Sequence, residues 1–260
     1  MGSEVVVDER VSLGDLIKSM EAEYEQKLDK TIPAIIRLDG KGFSKLTKRL
    51  KNSFDPFFET AMVSTTQFLC ENIQNVVAAY TQSDEITLVL IPKKQENKPE
   101  PDAWFDFRVQ KMVSTAASMC AVEFYKTCNT ISLFGENAEF EIAFDARVFS
   151  CSPENVIKTL MWRQQDCQKN SISKFADRSY SHKQLQGKNS REKIEMCLEK
   201  DHSWEKELSF SFKHGNFFHK EMVERQRNNG EVYTRSVWVK NKHEKLFKDE
   251  KELFSSLIFK

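Results

Sequence analysis

Three carboxylates and a glycine-rich turn are the residues of this chain best suited to chemistry. Asp39 follows the short apolar run Ile32-Pro33-Ala34-Ile35-Ile36-Arg37-Leu38 and leads into Gly40-Lys41-Gly42-Phe43. Asp84 and Glu85 sit in the polar break Gln82-Ser83-Asp84-Glu85, between the apolar runs 76–81 and 86–91. If the strands formed by these runs lie side by side, Asp39 and Asp84 converge. Two carboxylates held together bind divalent cations, and cation pairs roughly 3.5–4 Å apart are the usual apparatus of nucleotidyl transfer. Gly40 would let a backbone carbonyl approach such a cation, and the amides of Lys41, Gly42 and Phe43 could form a nest for phosphate oxygens. The same residues also suit two ordinary turns, because Asp and Gly are the commonest turn formers.

Basic residues offer a second set of candidates. Arg108 and Lys111 are three apart at the start of an expected helix, where the positive end of the dipole favours an anion such as a triphosphate; a solvated helix face explains them equally. Asp145 and Arg147 share one face of a strand and suggest an internal ion pair beside the site. Arg163, Lys169, Asn170, Lys174, Arg178, His182, Lys183, Lys188 and Arg191 form a basic stretch with few intervening acids. Contacts from such a surface to phosphates would give salt-dependent, sequence-independent RNA affinity; an ordinary charged helical surface is the other reading.

The elements that must position these groups follow from periodicity and punctuation. Residues 13–28 have helical spacing, with Ser12 as N-cap and Asp15 in the first turn. Asp55 and Pro56 form an N-cap and N1 start signal for a helix ending at Glu71-Asn72. Strands at 76–81 and 86–91 flank the acidic tip, and 92–101 is a polar loop. A helix runs from Ala103 or Phe107 to Cys128, residues 129–139 are irregular, and 140–149 is a strand. Ser152-Pro153 starts the next helix, and 163–200 is helical in pieces. Residues 210–218 and 231–240 pair as a hairpin around Asn229-Gly230. The tail from residue 243 is charged, then apolar. The order strand, helix, hairpin, helix, strand, helix matches an α+β, ferredoxin-like split βαβ plan, an antiparallel sheet with one face covered by helices. The expected division is 1–150, which carries the carboxylates, and 151–260, a helical and hairpin C-terminal extension whose basic stretch would contact RNA.

Composition excludes little. The chain has 260 residues, with 39 Lys and Arg balancing 39 Asp and Glu, so no overall field attracts a polyanion. None of the six cysteines forms a Cys-x-x-Cys, and buried reduced thiols point to a reducing compartment. No apolar run approaches the length of a membrane span. The first ten residues lack the features of a signal peptide and are too acidic for a typical transit peptide. Val6 stands where a myristoylation signal wants Ser or Thr. These readings give a cytoplasmic location, with an organelle not excluded, and no membrane partner.

Four motifs in order carry a resemblance: Arg37-Leu38-Asp39-Gly40-x-x-Phe43, Tyr80-x-Gln82-Ser83-Asp84-Glu85, Phe144-Asp145-x-Arg147 and Trp162-Arg163-Gln164-x-Asp166. Together they resemble the tRNA(His) guanylyltransferase superfamily, the enzymes that add nucleotides in the 3′-to-5′ direction. The resemblance implies a palm-like catalytic domain and two Mg²⁺ ions held by Asp39, the Gly40 carbonyl and Asp84, with Glu85 in support. It also implies a site for ATP, GTP and other nucleoside triphosphates lined by Lys41, Gly42, Phe43 and Ser83, with Arg108 and Lys111 on a triphosphate, and a homotetramer. The chain departs from the pattern in two places. Enzymes dedicated to tRNA(His) read His-Ile-Asn-Asn-Leu-Tyr-Asn where this chain reads Gln168-Lys169-Asn170-Ser171-Ile172-Ser173-Lys174. The lysine-proline expected before Asp55 is Asn52-Ser53, with Lys51 nearby. Ser181 to Lys188 resembles the "like protein" branch, which repairs truncated tRNA 5′ ends.

The sequence therefore leads to a template-dependent 3′-to-5′ nucleotidyltransferase acting on tRNA with a truncated 5′ end. A tRNA(His)-specific guanylyltransferase, a nucleotide cyclase sharing the palm, and a non-catalytic RNA-binding protein are the rival readings.

Overall fold

Residues 34–40 alternate between two buried sides. Ala34, Ile36 and Leu38 enter one apolar core, and Ile35 enters another on the opposite face. A strand with both faces covered needs neighbours on either edge, and the structure supplies them. It is a computed structural model that describes residues 11–94, 101–135, 139–241 and 244–259. The expectations for residues 1–10, for the middle of the polar loop (95–100), for 136–138 and for the start of the tail (242–243) fall outside those residues.

In chain order the elements are α1 (Leu13–Glu23), β1 (Ala34–Gly40), α2 (Phe43–Thr47), α3 (Pro56–Asn72), β2 (Val76–Gln82), β3 (Glu85–Leu90), a 3₁₀ turn (Trp104–Phe107), α4 (Val109–Thr130), β4 (Phe144–Ser150), α5 (Pro153–Ala176), α6 (His182–Leu185), α7 (Ser190–Leu198), α8 (Trp204–Glu207), α9 (Phe210–His214), β5 (Asn216–Gln226), β6 (Val232–Lys240) and α10 (Lys251–Ile258). The strands form one sheet in the order β4-β1-β3-β2-β5-β6. Every neighbouring pair is antiparallel. The first four strands have the split βαβ order expected from the sequence, and β5 and β6 extend that sheet across the boundary drawn at residue 150.

Helices α3 and α4 cover one face through Phe58, Met62, Leu69, Met112, Cys120 and Phe124. The opposite face is also covered, contrary to the one-sided sheet expected. Val156, Ile157 and Leu160 of α5 pack there, with Phe247 and with Phe254 and Ile258 of α10. Each such side chain removed from water contributes about 1.5–3 kcal/mol. A third small core of Ile172, Phe175, Leu185, Cys197 and Trp204 holds the end of α5 to α7 and α8.

Several boundaries differ from the sequence reading for local reasons. The first helix stops at Glu23, because Gln26 and Leu28 exchange backbone hydrogen bonds with Val109 and Phe107. Strand β4 begins at Phe144 rather than 140, and Phe140 instead packs its ring on Tyr125 and Phe134. Helix α5 runs unbroken to Ala176 through a stretch expected in pieces. The hairpin starts at Asn216, since Ser209 caps α9 over residues read as strand. Gly215 ends that helix with φ 74°, and an added Cβ would meet the Tyr80 hydroxyl. That hydroxyl donates to the His214 carbonyl at 2.8 Å.

His214 is buried with its ring against Trp204 and Phe210, and Nδ1 finds no hydrogen-bond partner. Burial, helped by the neighbouring Lys213 charge, pushes its pKa down from 6.5 to about 4. Between those values the unfolded chain binds a proton that the folded protein refuses, so stability falls as pH drops through that window. Replacing the residue by an apolar one, His214→Leu, should flatten the fall of the urea midpoint between pH 6.5 and 4. An unchanged slope would show that His214 does not control it.

Candidate active site

The register of the sheet builds an acidic row. Asp39 on β1 stands opposite Glu85 on β3 and, on its other side, opposite Asp145 on β4. Two residues back, Arg37 stands between Thr87 and Arg147. The two-residue period of a strand places both rows on the face that α5 covers. The Gly40 amide donates to the Asp84 carbonyl at 3.1 Å, which ties the end of β1 to the tip of the β2–β3 hairpin. Asp39 and Asp84 thus meet at the sheet end, and both line an open hollow of about 340 Å³.

Burial raises the Asp39 pKa, and the charges of Asp84 and Asp145 raise it further; Arg37 and Arg147 pull back less strongly. Crowded carboxylates of this kind favour a divalent cation, which relieves their mutual repulsion. Among the described residues no three His, Cys, Asp or Glu side chains gather into a metal cage. Asp39 and Asp84 supply two carboxylates at the rim, hard oxygen groups of the kind that suit a divalent cation and leave positions for water or phosphate.

Glu85 plays a different part. Its side chain is only 9% exposed and lies 2.9 Å from Nε of Arg163, which is 6% exposed. The N–H does not point along that contact, so it is an ion pair rather than a hydrogen bond. The other arm of Arg163 reaches Asp166, and the guanidinium lies 4.0 Å from the centre of the Trp162 ring. Burial raises the Glu85 pKa to about 7 against the pull of Arg163 and Arg37. Arg163, expected on an RNA-binding surface, is therefore a buried brace between β3 and α5.

Other expected residues are also placed differently. Phe43 is not a wall of a nucleotide site but a core residue, packed edge-on against Phe144 at 4.9 Å and tilted against Phe124 at 5.3 Å. Its ring explains Gly40, where a Cβ would stand 2.5–2.8 Å from the ring atoms. The Lys41 amide donates to the Ala143 carbonyl, which removes it from the expected phosphate nest. Gly42, at φ 71°, turns the chain into α2. Lys41, Gly42 and Ser83 are exposed at the sheet end.

Arg108 and Lys111 are not brought to the carboxylates. Phe124 touches Phe43 at the sheet end, and Arg108 lies sixteen residues earlier on the same helix, about 24 Å away at 1.5 Å per residue. There Arg108 pairs with Glu25 and donates to the Phe105 carbonyl. The Asp145–Arg147 pair, expected to be internal, is exposed and 4.0 Å apart. Within the basic stretch Arg178, Lys188 and Arg191 pair with Glu207, Glu192 and Glu195, and Asn170 donates to Asp166. Lys169, His182 and Lys183 are exposed.

The sequence reading missed a second hollow. A narrow, mostly apolar cleft shares Gln82, Ser83 and Asn170 with the carboxylate hollow. Phe54, Phe58, Met62 and Phe212 form its apolar walls. Asp55 caps α3 as expected, accepting from the amides of Phe57 and Phe58, and also borders this cleft. The Lys174 amine stands 5.6 Å from the Phe54 ring; burial lowers its pKa, and the Asp84 charge opposes that shift.

Breaking the brace should be costly. Removing one partner of a buried ion pair typically destabilises by about 3–5 kcal/mol. Arg163→Met should lower metal-free stability by that order in guanidinium unfolding, and Glu85→Gln in the same chain should restore part of it. A loss below about 1 kcal/mol, or no coupling between the two changes, would contradict the buried pair.

With this geometry in hand, comparisons with known proteins place the chain. The family model described as tRNAHis guanylyltransferase matches residues 14–152. A mimivirus protein of Acanthamoeba polyphaga mimivirus, "Uncharacterized protein R259", is 27% identical over 87% of this chain and 83% of its own length. The Arabidopsis thaliana tRNA(His) guanylyltransferase 1 is 30% identical over 65% of this chain, which spans 28% of that enzyme. A bacterial tRNA(His) guanylyltransferase-like protein solved in complex with ATP superposes with a TM-score of 0.81 at 28% identity, over 95% of this chain and 99% of that one. The same description solved with GTP gives a TM-score of 0.77 at 27% identity, with the same coverage. On the matched motifs and the shared fold, this chain belongs to the tRNA(His) guanylyltransferase family of nucleotidyltransferases.

Proposed function

We propose that the protein adds nucleotides to the 5′ end of tRNA in the 3′-to-5′ direction, copying the opposite strand of the acceptor stem to repair truncated ends. The observation that carries this reading is the meeting of Asp39 and Asp84 at the sheet end, beside a cleft walled by Phe54, Phe58 and Phe212. The departures at Gln168 to Lys174 from the sequence of enzymes dedicated to tRNA(His) favour repair over addition of a single guanylate. The description of the matching family supports the narrower, tRNA(His)-specific reaction as the second reading.

The reaction has two transfers. First, an oxygen of the tRNA 5′-monophosphate attacks the α-phosphorus of ATP, forming a phosphoanhydride and releasing pyrophosphate. Then the 3′-hydroxyl of an incoming nucleoside triphosphate attacks the activated 5′ phosphorus, forming the phosphodiester and releasing AMP. Asp39, Asp84 and the Gly40 carbonyl would hold two Mg²⁺ ions. When bound, these would lower the pKa of the attacking hydroxyl and neutralise triphosphate charge.

Catalysis otherwise consists of positioning. Glu85, fixed by Arg163, keeps the donor end of β3 in place. The cleft beside Phe54 receives a nucleobase, with Lys174 and Ser83 toward its phosphates. Lys41 and Gly42, exposed just beyond the end of β1, are available to an incoming triphosphate. Template pairing selects the incoming base, so the protein need not read it. Lys169, His182, Lys183 and the partly paired Arg178 and Lys188 contact the tRNA backbone. We assign the protein to the cytoplasm or an organelle, as a homotetramer. No helix among the described residues is long and apolar enough to cross a membrane.

Two measurements test this reading. With tRNA lacking its first nucleotide, ATP and all four nucleoside triphosphates, wild-type protein should extend the 5′ end, while Asp39→Asn and Asp84→Asn should each be slower by at least about a hundredfold and keep their circular dichroism. Either variant within tenfold of wild type would refute the site, and extension confined to tRNA(His) would favour the second reading. In binding assays, reversing Lys169 and Lys183 to Glu should weaken tRNA affinity and reduce the slope against log salt by roughly 0.7–0.9 per lost phosphate contact. An unchanged slope would remove that surface from the interface.

A further inference from the structure

Trp162 is 54% exposed, whereas Trp104 and Trp204 are 8% and 2% exposed. Its place explains the difference. Helix α5 turns Leu160 and Cys167 inward, and Trp162 comes to the rim of the carboxylate hollow together with Arg37 and Asp39. Beyond that rim β4 is uncovered: Asp145, Arg147 and Phe149 alternate outward along it. The ring is also held. The Arg163 guanidinium lies 4.0 Å from its centre and is itself fixed by Glu85 and Asp166. An indole kept open at the mouth of a polar site, on a buried cationic support, presents a rigid apolar surface of the kind on which nucleobases stack.

We propose that Trp162 is a substrate-binding residue that stacks on the terminal base of the RNA end being extended. The proposal rests on the transferase reading above and adds the group that orients the acceptor end. The acid pair sets where the reacting 5′ phosphate must sit, and the base attached to that phosphate lies one sugar away, within reach of the same rim. Stacking is indifferent to base identity, which suits an end whose sequence changes with each added nucleotide. Arg37 and Arg147, on the adjoining row of the sheet, supply positive charge beside the phosphates of that end.

The test uses the full-length protein with 5′-monophosphorylated tRNA lacking its first nucleotide. Titrating this RNA should quench tryptophan emission, and the quench should shrink sharply in Trp162→Leu. In steady-state extension Trp162→Leu should raise KM for the RNA by about five- to a hundredfold, the range of one lost stacking contact, while KM for ATP stays within twofold. Trp162→Tyr, which keeps an aromatic face, should restore most of the RNA affinity. Two results would overturn the assignment. One is Trp162→Leu matching wild type in both quench and KM. The other is a parallel rise in KM for RNA and ATP with lost stability and no recovery in Trp162→Tyr, which would make the residue only a cover for Arg163. Wild-type protein that extends no RNA would instead refute the transferase reading itself, an outcome visible before any variant is made.

Discussion

A slip of one residue between β1 and β3 would turn Asp39 to the other face of the sheet, and the donor set would be lost. The site depends on that register. Two features hold it. Ala34, Ile36 and Leu38 must enter the core under α3 and α4, which fixes the parity of the strand. The Gly40 amide bonded to the Asp84 carbonyl fixes its end. Gly40 is required there because the Phe43 ring occupies the space of a side chain. A packing constraint in the core thus sets the position of the acids at the rim.

Helix α5 is the second organiser. Along its 24 residues it seals the sheet with Val156, Ile157 and Leu160, braces Glu85 with Arg163, and then passes the hairpin tip with Asn170 and Lys174. The carboxylates crowd against each other at one end, and the cation that answers Glu85 sits behind it. The negative charge of Asp39 and Asp84 is left facing the opening. Such an arrangement favours an added cation over internal neutralisation.

Much of this was legible in the sequence, and the failures share a cause. The strand ends at Asp39 and the hairpin tip at Asp84 could be read because local patterning locates both, and the split βαβ order then makes them neighbours. The cap at Asp55 and the start of α5 at Ser152-Pro153 are local signals too, and both stand as expected. Arg163 reads as surface in the sequence because nothing near it in the chain announces that its partner is a buried glutamate on β3. Phe43 reads as part of the site because it follows the glycine turn, whereas its partners Phe124 and Phe144 come from later elements. Arg108 and Lys111 do begin a helix region, but the direction of that helix along the sheet sends them to the far end. The apolar cleft draws walls from the loop before α3, from α3, from α5 and from α9, so no single stretch could reveal it.

The central claim is that Asp39, near the end of β1, and Asp84, in the β2–β3 turn, act as one cation-binding site although they are remote in the chain. It can be tested without following the reaction, by titrating Mn²⁺ into the protein with a non-hydrolysable ATP analogue and counting bound ion by electron paramagnetic resonance. Asp39→Asn and Asp84→Asn should each abolish the tight binding seen in wild type, and the double variant should lose no more than either single one. Tight binding that survives in either single variant would contradict a shared site.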